Sequence, residues 1–146
     1  MIVFFSSGLY LGHLPWAPGT FGTLAGLPLY LALSGLPVWA YAACLAPLTL
    51  AAILLAGRAE DIYGCHDDPR IVIDEVVGFL VSMTGTAPSL PGMVLGFLFF
   101  RMFDILKPWP CRAIDRTWGG GTGIVMDDAA AGVYAAALLH VVQIIW

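Results

Sequence analysis

Apolar residues run along this chain in long blocks, and each block is interrupted where glycine and proline cluster. Residues 24–57 carry no charge and break at Ser34-Gly35-Leu36-Pro37. Leu24 to Leu33 is too short to cross about 30 Å of hydrocarbon unless flanking residues extend it, whereas Val38 to Gly57 has the roughly 20 residues required. Gly35 and Pro37 therefore predict the turn of a helical hairpin. Val76 to Phe100 is apolar again and breaks between Gly85 and Gly92. Each half is about a dozen residues, or about 18 Å as helix, which predicts a short or re-entrant hairpin. Ala129 to Trp146 is the last apolar segment and has the length for one crossing. Valine-rich pieces could form strands, but an open sheet leaves backbone groups unpaired in lipid, so helix is predicted throughout. The pattern gives an all-α, multi-pass membrane bundle with short or re-entrant hairpins, as one domain over residues 1–146.

Composition strengthens the membrane reading. The chain is 60% hydrophobic and 11% charged, with mean hydropathy +0.87, against about 45–50% and about 25% in soluble domains. A net charge of -4 excludes a nucleic-acid binder, which needs a basic face. Cys44, Cys65 and Cys111 form no CxxC and are odd in number, so neither a disulfide framework nor a zinc site is predicted. The N-terminus lacks the basic region of a cleaved signal peptide, and the apolar segments are expected in the mature protein.

All the charged residues lie between Arg58 and Asp128. If 24–57 and 76–100 each fold back, three polar segments meet at one membrane face: Leu14–Thr23, Arg58–Glu75 and Arg101–Asp128. The last two hold all six basic residues, which makes that face cytoplasmic by the positive-inside tendency.

The acids come in tight groups. Asp74-Glu75 and Asp127-Asp128 each stand where an apolar helix is expected to begin. A helix N-terminus favours one acid, but adjacent carboxylates repel, and two such pairs point to a shared cation. Arg101, Asp104 and Lys107 recur at helical spacing, so Asp104 can pair with both cations or ligate metal while they hold phosphate oxygens. Asp115, between Arg112 and Arg116, has cations at near-helical spacing. The turn-rich run Pro15–Thr23 offers Thr20, Thr23 and backbone amides to an anion. Gly119–Gly123 matches no phosphate-loop spacing and reads as flexible chain ahead of the last helix. His66 beside Asp67 suits an acid–base group, a partner that orients a ligand, or a solvated loop histidine. No Ser-His-Asp or Cys-His arrangement and no nucleotide or redox motif is evident. Carboxylates, cations and a membrane together equip a protein to stabilise charge on a phosphoryl group.

In order along the chain, Ala17-Pro18-Gly19-Thr20-Phe21-Gly22-Thr23, His66-Asp67, Ile71-Val72-Ile73-Asp74-Glu75-Val76-Val77-Gly78, Phe100-Arg101-Met102-Phe103-Asp104-Ile105-Leu106-Lys107-Pro108-Trp109-Pro110 and Gly123-Ile124-Val125-Met126-Asp127-Asp128-Ala129-Ala130-Ala131-Gly132 resemble the bacterial phosphatidylglycerophosphatase A family. The resemblance implies an all-helical, multi-pass enzyme of the bacterial inner membrane with its site on the cytoplasmic face. It implies Mg²⁺-dependent removal of the terminal phosphate of phosphatidylglycerophosphate, giving phosphatidylglycerol. The implied ligands are Asp74, Glu75, Asp127 and Asp128, with Asp104 and Asp61 next, while Arg101 and Lys107 hold the phosphate. Water or an attacking aspartate can serve as nucleophile. A metal-dependent lipid phosphotransferase would need two spaced aspartates in one helix after an Asp-Gly and an Ala-Arg, a signature absent here. A divalent-cation carrier would place its acids at mid-bilayer rather than at helix ends.

Overall fold

Proline and glycine decide where most of the helices begin and end. The computed structural model describes residues 1–145; Trp146, which closes the last predicted segment, lies outside them. Among the described residues there are seven α-helices, one 3-10 turn at Leu11–His13 and no strand. A short α1 (Ile2–Ser6) leads through that turn to α2 (Pro18–Leu33). Pro18 suits a first helical position because its missing amide costs no bond there. The first arm of the hairpin is therefore 16 residues, and most of the Leu14–Thr23 segment predicted as loop is helix. The chain turns at Ser34–Pro37 into α3 (Val38–Tyr63), which stops on Gly64 in the left-handed conformation (φ 69°).

The second hairpin is α4 (Ile73–Ser82) and α5 (Leu90–Leu106), with Gly92 N–H donating to the Ser89 hydroxyl at the start of α5. Lys107 (φ 43°) and the prolines at 108 and 110 end α5. α6 (Cys111–Thr117) and α7 (Gly120–Ile145) complete the chain. At 26 residues each, α3 and α7 are about 39 Å long. Both are long and apolar enough to cross a membrane, and both leave leucines, isoleucines or valines exposed, among them Leu50, Leu54, Val133 and Val141. α4, at 10 residues, is about 15 Å.

α4 is the interior helix, with α2, α3, α5 and α7 against it. Val76, Val77, Phe79 and Leu80 are all buried, as befits a helix apolar on most of its circumference. At the end where both hairpins turn, the Tyr30 hydroxyl donates to Thr86 O (2.9 Å) and the Tyr41 hydroxyl to Leu80 O (2.7 Å). These bonds satisfy buried hydroxyls and tie the two turns together.

The last helix corrects two sequence expectations. Gly119–Gly123 is not a flexible lead-in: α7 starts at Gly120, and a Cβ on Gly121 would overlap the Ile53 carbonyl oxygen of α3. Glycine stands there so that two backbones can touch. Asp127 and Asp128 consequently sit two turns inside α7 rather than at its head.

Candidate functional site

The acids are brought together by a second backbone contact. A Cβ on Gly132 of α7 would overlap the Gly78 carbonyl oxygen of α4, and one on Gly78 would meet Phe100 and the Asp128 carbonyl. Asp74 and Asp128 each precede their crossing glycine by four residues, one turn on the same face. The stretch ahead of α4 is fixed by Val72 N–H donating to Ser6 O at 2.9 Å.

Asp74, Glu75 and Asp128 each offer one carboxylate oxygen, and these atoms lie within 4.8 Å of one another. Asp74 and Asp128 are buried, and Glu75 nearly so. Asp74 Oδ1, Glu75 Oε2 and Asp128 Oδ2 have no hydrogen-bond partner. Two like charges at such a separation repel by roughly 3 kcal/mol at an effective dielectric near 20. The nearest cation is Arg101, whose Nη1 is 2.7 Å from Asp104 Oδ2 and 3.9 Å from Glu75 Oε1. One guanidinium shared with a fourth acid leaves the trio undercompensated. Three buried, unpartnered carboxylate oxygens are a donor set that a hard divalent cation fits.

A second cluster stands beside the first. Lys107 Nζ donates to Asp127 Oδ2 at 2.7 Å and lies 3.0 Å from Asp115 Oδ1 and 3.9 Å from Asp67 Oδ2. Burial works against this ammonium, yet the bonds to Asp127 and Asp115 outweigh it and raise the Lys107 pKa. Asp127 Oδ1 accepts from the Asp128 amide at 3.0 Å. Both Asp127 oxygens are thus engaged, whereas its neighbour has a free one.

The clusters line one cavity of about 310 Å³. Its wall includes Ala17–Gly19, Asp67, Arg101 and Asp104, so all three polar segments of the sequence reach it. Gly19 lets α2 approach: a Cβ there would come within 2.5 Å of Glu75 Oε1 and 2.9 Å of Arg101 Nη1.

Of the residues singled out in the sequence, the structure brings Asp74, Glu75, Asp104, Asp127, Asp128, Arg101 and Lys107 to this cavity. It does not bring His66, Asp61, Thr20 or Thr23 into the lining. His66 is exposed and its Nδ1 is 2.7 Å from Glu60 Oε1. Asp61 is exposed in the last turn of α3. The Thr23 hydroxyl is buried and donates to Gly19 O at 2.8 Å, so it has no proton left for an anion. Asp104 pairs with Arg101 but not with Lys107, and Asp115 pairs with Lys107 rather than with Arg112 or Arg116. Asp67 lines the cavity and was not singled out as a ligand or base. In the sequence it enters only as the neighbour of His66.

A family model described as phosphatidylglycerophosphatase A matches residues 4–143. Phosphatidylglycerophosphatase A of Escherichia coli (strain K12) is 33% identical over 147 residues, covering 100% of this chain and 83% of that protein. The Haemophilus influenzae protein of the same name is 38% identical over 129 residues, covering 87% of this chain and 79% of its own. A Bacteroides thetaiotaomicron protein provisionally named phosphatidylinositol-3-phosphatase is 34% identical over 149 residues, covering 97% and 92%. No solved structure matches.

Proposed function

The chain belongs to the phosphatidylglycerophosphatase A family, and from that membership we propose how its cavity works and on what. The protein is a phosphoric monoester hydrolase that converts phosphatidylglycerophosphate to phosphatidylglycerol and phosphate. The observation that carries the site assignment is the trio of unpartnered carboxylate oxygens on Asp74, Glu75 and Asp128 beside Arg101.

In this reading the trio holds Mg²⁺, which when bound neutralises charge on the phosphate oxygens. Arg101 binds those oxygens through its guanidinium, and Asp104 at 2.7 Å aims it. Lys107 adds positive charge beside the trio, held in place by Asp127 and Asp115. Water attacks phosphorus as the bond to the glycerol oxygen breaks, and that oxygen takes a proton from solvent to leave as the alcohol of phosphatidylglycerol. Asp67 takes the proton of that water, because it lies outside the trio and no closer than 3.9 Å to a cation. Asp61, His66, Thr20 and Thr23 have no part in the chemistry.

The protein is a single membrane domain of the bacterial inner membrane. α3 and α7 cross the bilayer, and α2, α4 and α5 complete a multi-pass bundle. The six basic residues all lie in the segments Arg58–Glu75 and Arg101–Asp128, both of which contribute to the cavity lining, and this favours a cytoplasmic active site.

Purified protein should release inorganic phosphate from phosphatidylglycerophosphate in mixed micelles with Mg²⁺. No release under those conditions would overturn the reading. The Bacteroides relative makes phosphatidylinositol 3-phosphate the second substrate to assay. Faster release from that lipid would move the assignment to phosphoinositides while leaving the chemistry unchanged.

A further inference from the structure

Three helices carry the acid cavity directly into an apolar groove. Gly19, Glu75 and Arg101 line the cavity. Thr23, Phe79 and Phe97 line a groove of about 360 Å³ between α2, α4 and α5. Each groove residue lies four positions from its cavity partner on the same helix, with the offset forward on α2 and α4 and backward on α5. Since residues four apart stack on one helix face, the groove begins one turn beneath the cavity on all three walls. It continues past Leu27 on α2 and back to Leu90 on α5. The α5 stretch from Phe97 to Leu90 alone spans about 10 Å.

Every other lining residue is apolar, and the Thr23 hydroxyl is spent on Gly19 O. Leu24, Leu90, Val94 and Leu98 are exposed along its length, so the groove is open sideways. A polar end that suits a phosphomonoester and an apolar track open to the side match one molecule, a lipid whose headgroup bears the phosphate.

We propose that this groove seats an acyl chain of the substrate lipid while its phosphate occupies the acid cavity. The proposal rests on the lipid phosphatase reading above. A chain moving from bilayer to groove exchanges one apolar surrounding for another, and lipid tails are as apolar as leucine. The groove therefore adds little pull. Its effect is to fix the depth and direction at which the phosphate presents itself to Arg101 and the carboxylates, as positioning of a reacting group requires.

The test uses a non-hydrolysable phosphonate analogue of phosphatidylglycerophosphate with a diazirine in mid-chain, photolysed with the full chain in phosphatidylcholine vesicles. Labelling should concentrate on Leu24, Leu27, Val94 and Leu98, with Leu50 and Val133 at background. Unlabelled phosphonate lipid should compete, and added phosphatidylcholine should not. In parallel, Val94→Trp should fill the groove and lower kcat/KM for long-chain substrate about tenfold, as a misplaced reacting group does, with a smaller loss on a dihexanoyl substrate whose chains reach less far along it. Even labelling of all outward leucines, or equal loss on both substrates, overturns the proposal. So does groove labelling that vanishes as the protein-to-lipid ratio rises, because a second copy of the chain would then be the occupant. Competed groove labelling with no phosphate release from either substrate would leave the groove assignment standing and remove hydrolysis instead.

Discussion

Lys107 Nζ lies 2.7 Å from Asp127 Oδ2, and this bond gives two adjacent aspartates different roles. Asp127 is committed to a cation and to the Asp128 amide, whereas Asp128 Oδ2 faces the Asp74–Glu75 cluster unpartnered. Asp74→Asn, Glu75→Gln and Asp128→Asn should each abolish Mg²⁺ binding and lower turnover about a hundredfold or more. Asp127→Asn should lower turnover yet leave Mg²⁺ affinity within a few-fold, as removal of a supporting charge does. Calorimetric titration of Mg²⁺ into the four variants checks this. Equal loss of affinity in all four would return Asp127 to the ligand set.

If the trio holds Mg²⁺ as proposed, metal removal should have a structural as well as a catalytic consequence. With the cation stripped by EDTA, the trio repels itself across the α4–α7 interface, so phosphate release should stop and the thermal midpoint should fall. Added Mg²⁺ should restore both. Full activity in excess chelator would remove the metal from the reaction.

His66 provides a pH test away from the cavity. The hydrogen bond it donates to Glu60 raises its pKa above 6.5, burial opposing. A histidine raised in the folded state adds stability that is complete below 6.5 and disappears as pH rises through the raised value. Glu60→Gln should return the His66 titration, followed by NMR, toward 6.5. His66→Gln should leave turnover within a few-fold of the parent, since the ring is exposed and outside the cavity lining. A large rate loss would restore it as an acid–base group.

Cysteine replacement should place Arg70 and Arg112 on the same side of the membrane. Both lie beyond hairpins that turn at the opposite end, where Tyr30 reaches Thr86 and Tyr41 reaches Leu80. An impermeant maleimide added to intact cells should modify neither position. Labelling of one alone would exclude the paired hairpins.

Much of this architecture could be read before folding, and the reasons differ by element. Ser34–Pro37 and Gly85–Gly92 punctuate apolar runs strongly enough to fix both hairpin turns. Asp74 and Glu75 were legible because two acids opening an apolar helix have few structural explanations. The starts of α2 and α7 were not. Pro18 reads as a loop former until a helix is seen to grow from it. Gly120–Gly123 reads as flexible until Ile53 and Gly57 are seen against Gly121. The partners of Lys107 were hidden for another reason: Asp67, Asp115 and Asp127 come from three separate elements of the chain, and helical spacing near Lys107 pointed to Asp104 instead.

The Gly78–Gly132 contact makes two hydrogen atoms the gauge of the site. Because each glycine sits one turn from its aspartate, the distance between Asp74 and Asp128 is set by how nearly two backbones can approach. Gly132→Ala should cost about 1–3 kcal/mol in overpacking and spread the carboxylates, so that loss of Mg²⁺ affinity exceeds loss of folded protein. A random search for dead variants would then return, next to the acids, residues that never meet the lipid, the ion or the water. The tolerance of this centre is machined into the interior of the bundle, in parts with no side chain at all.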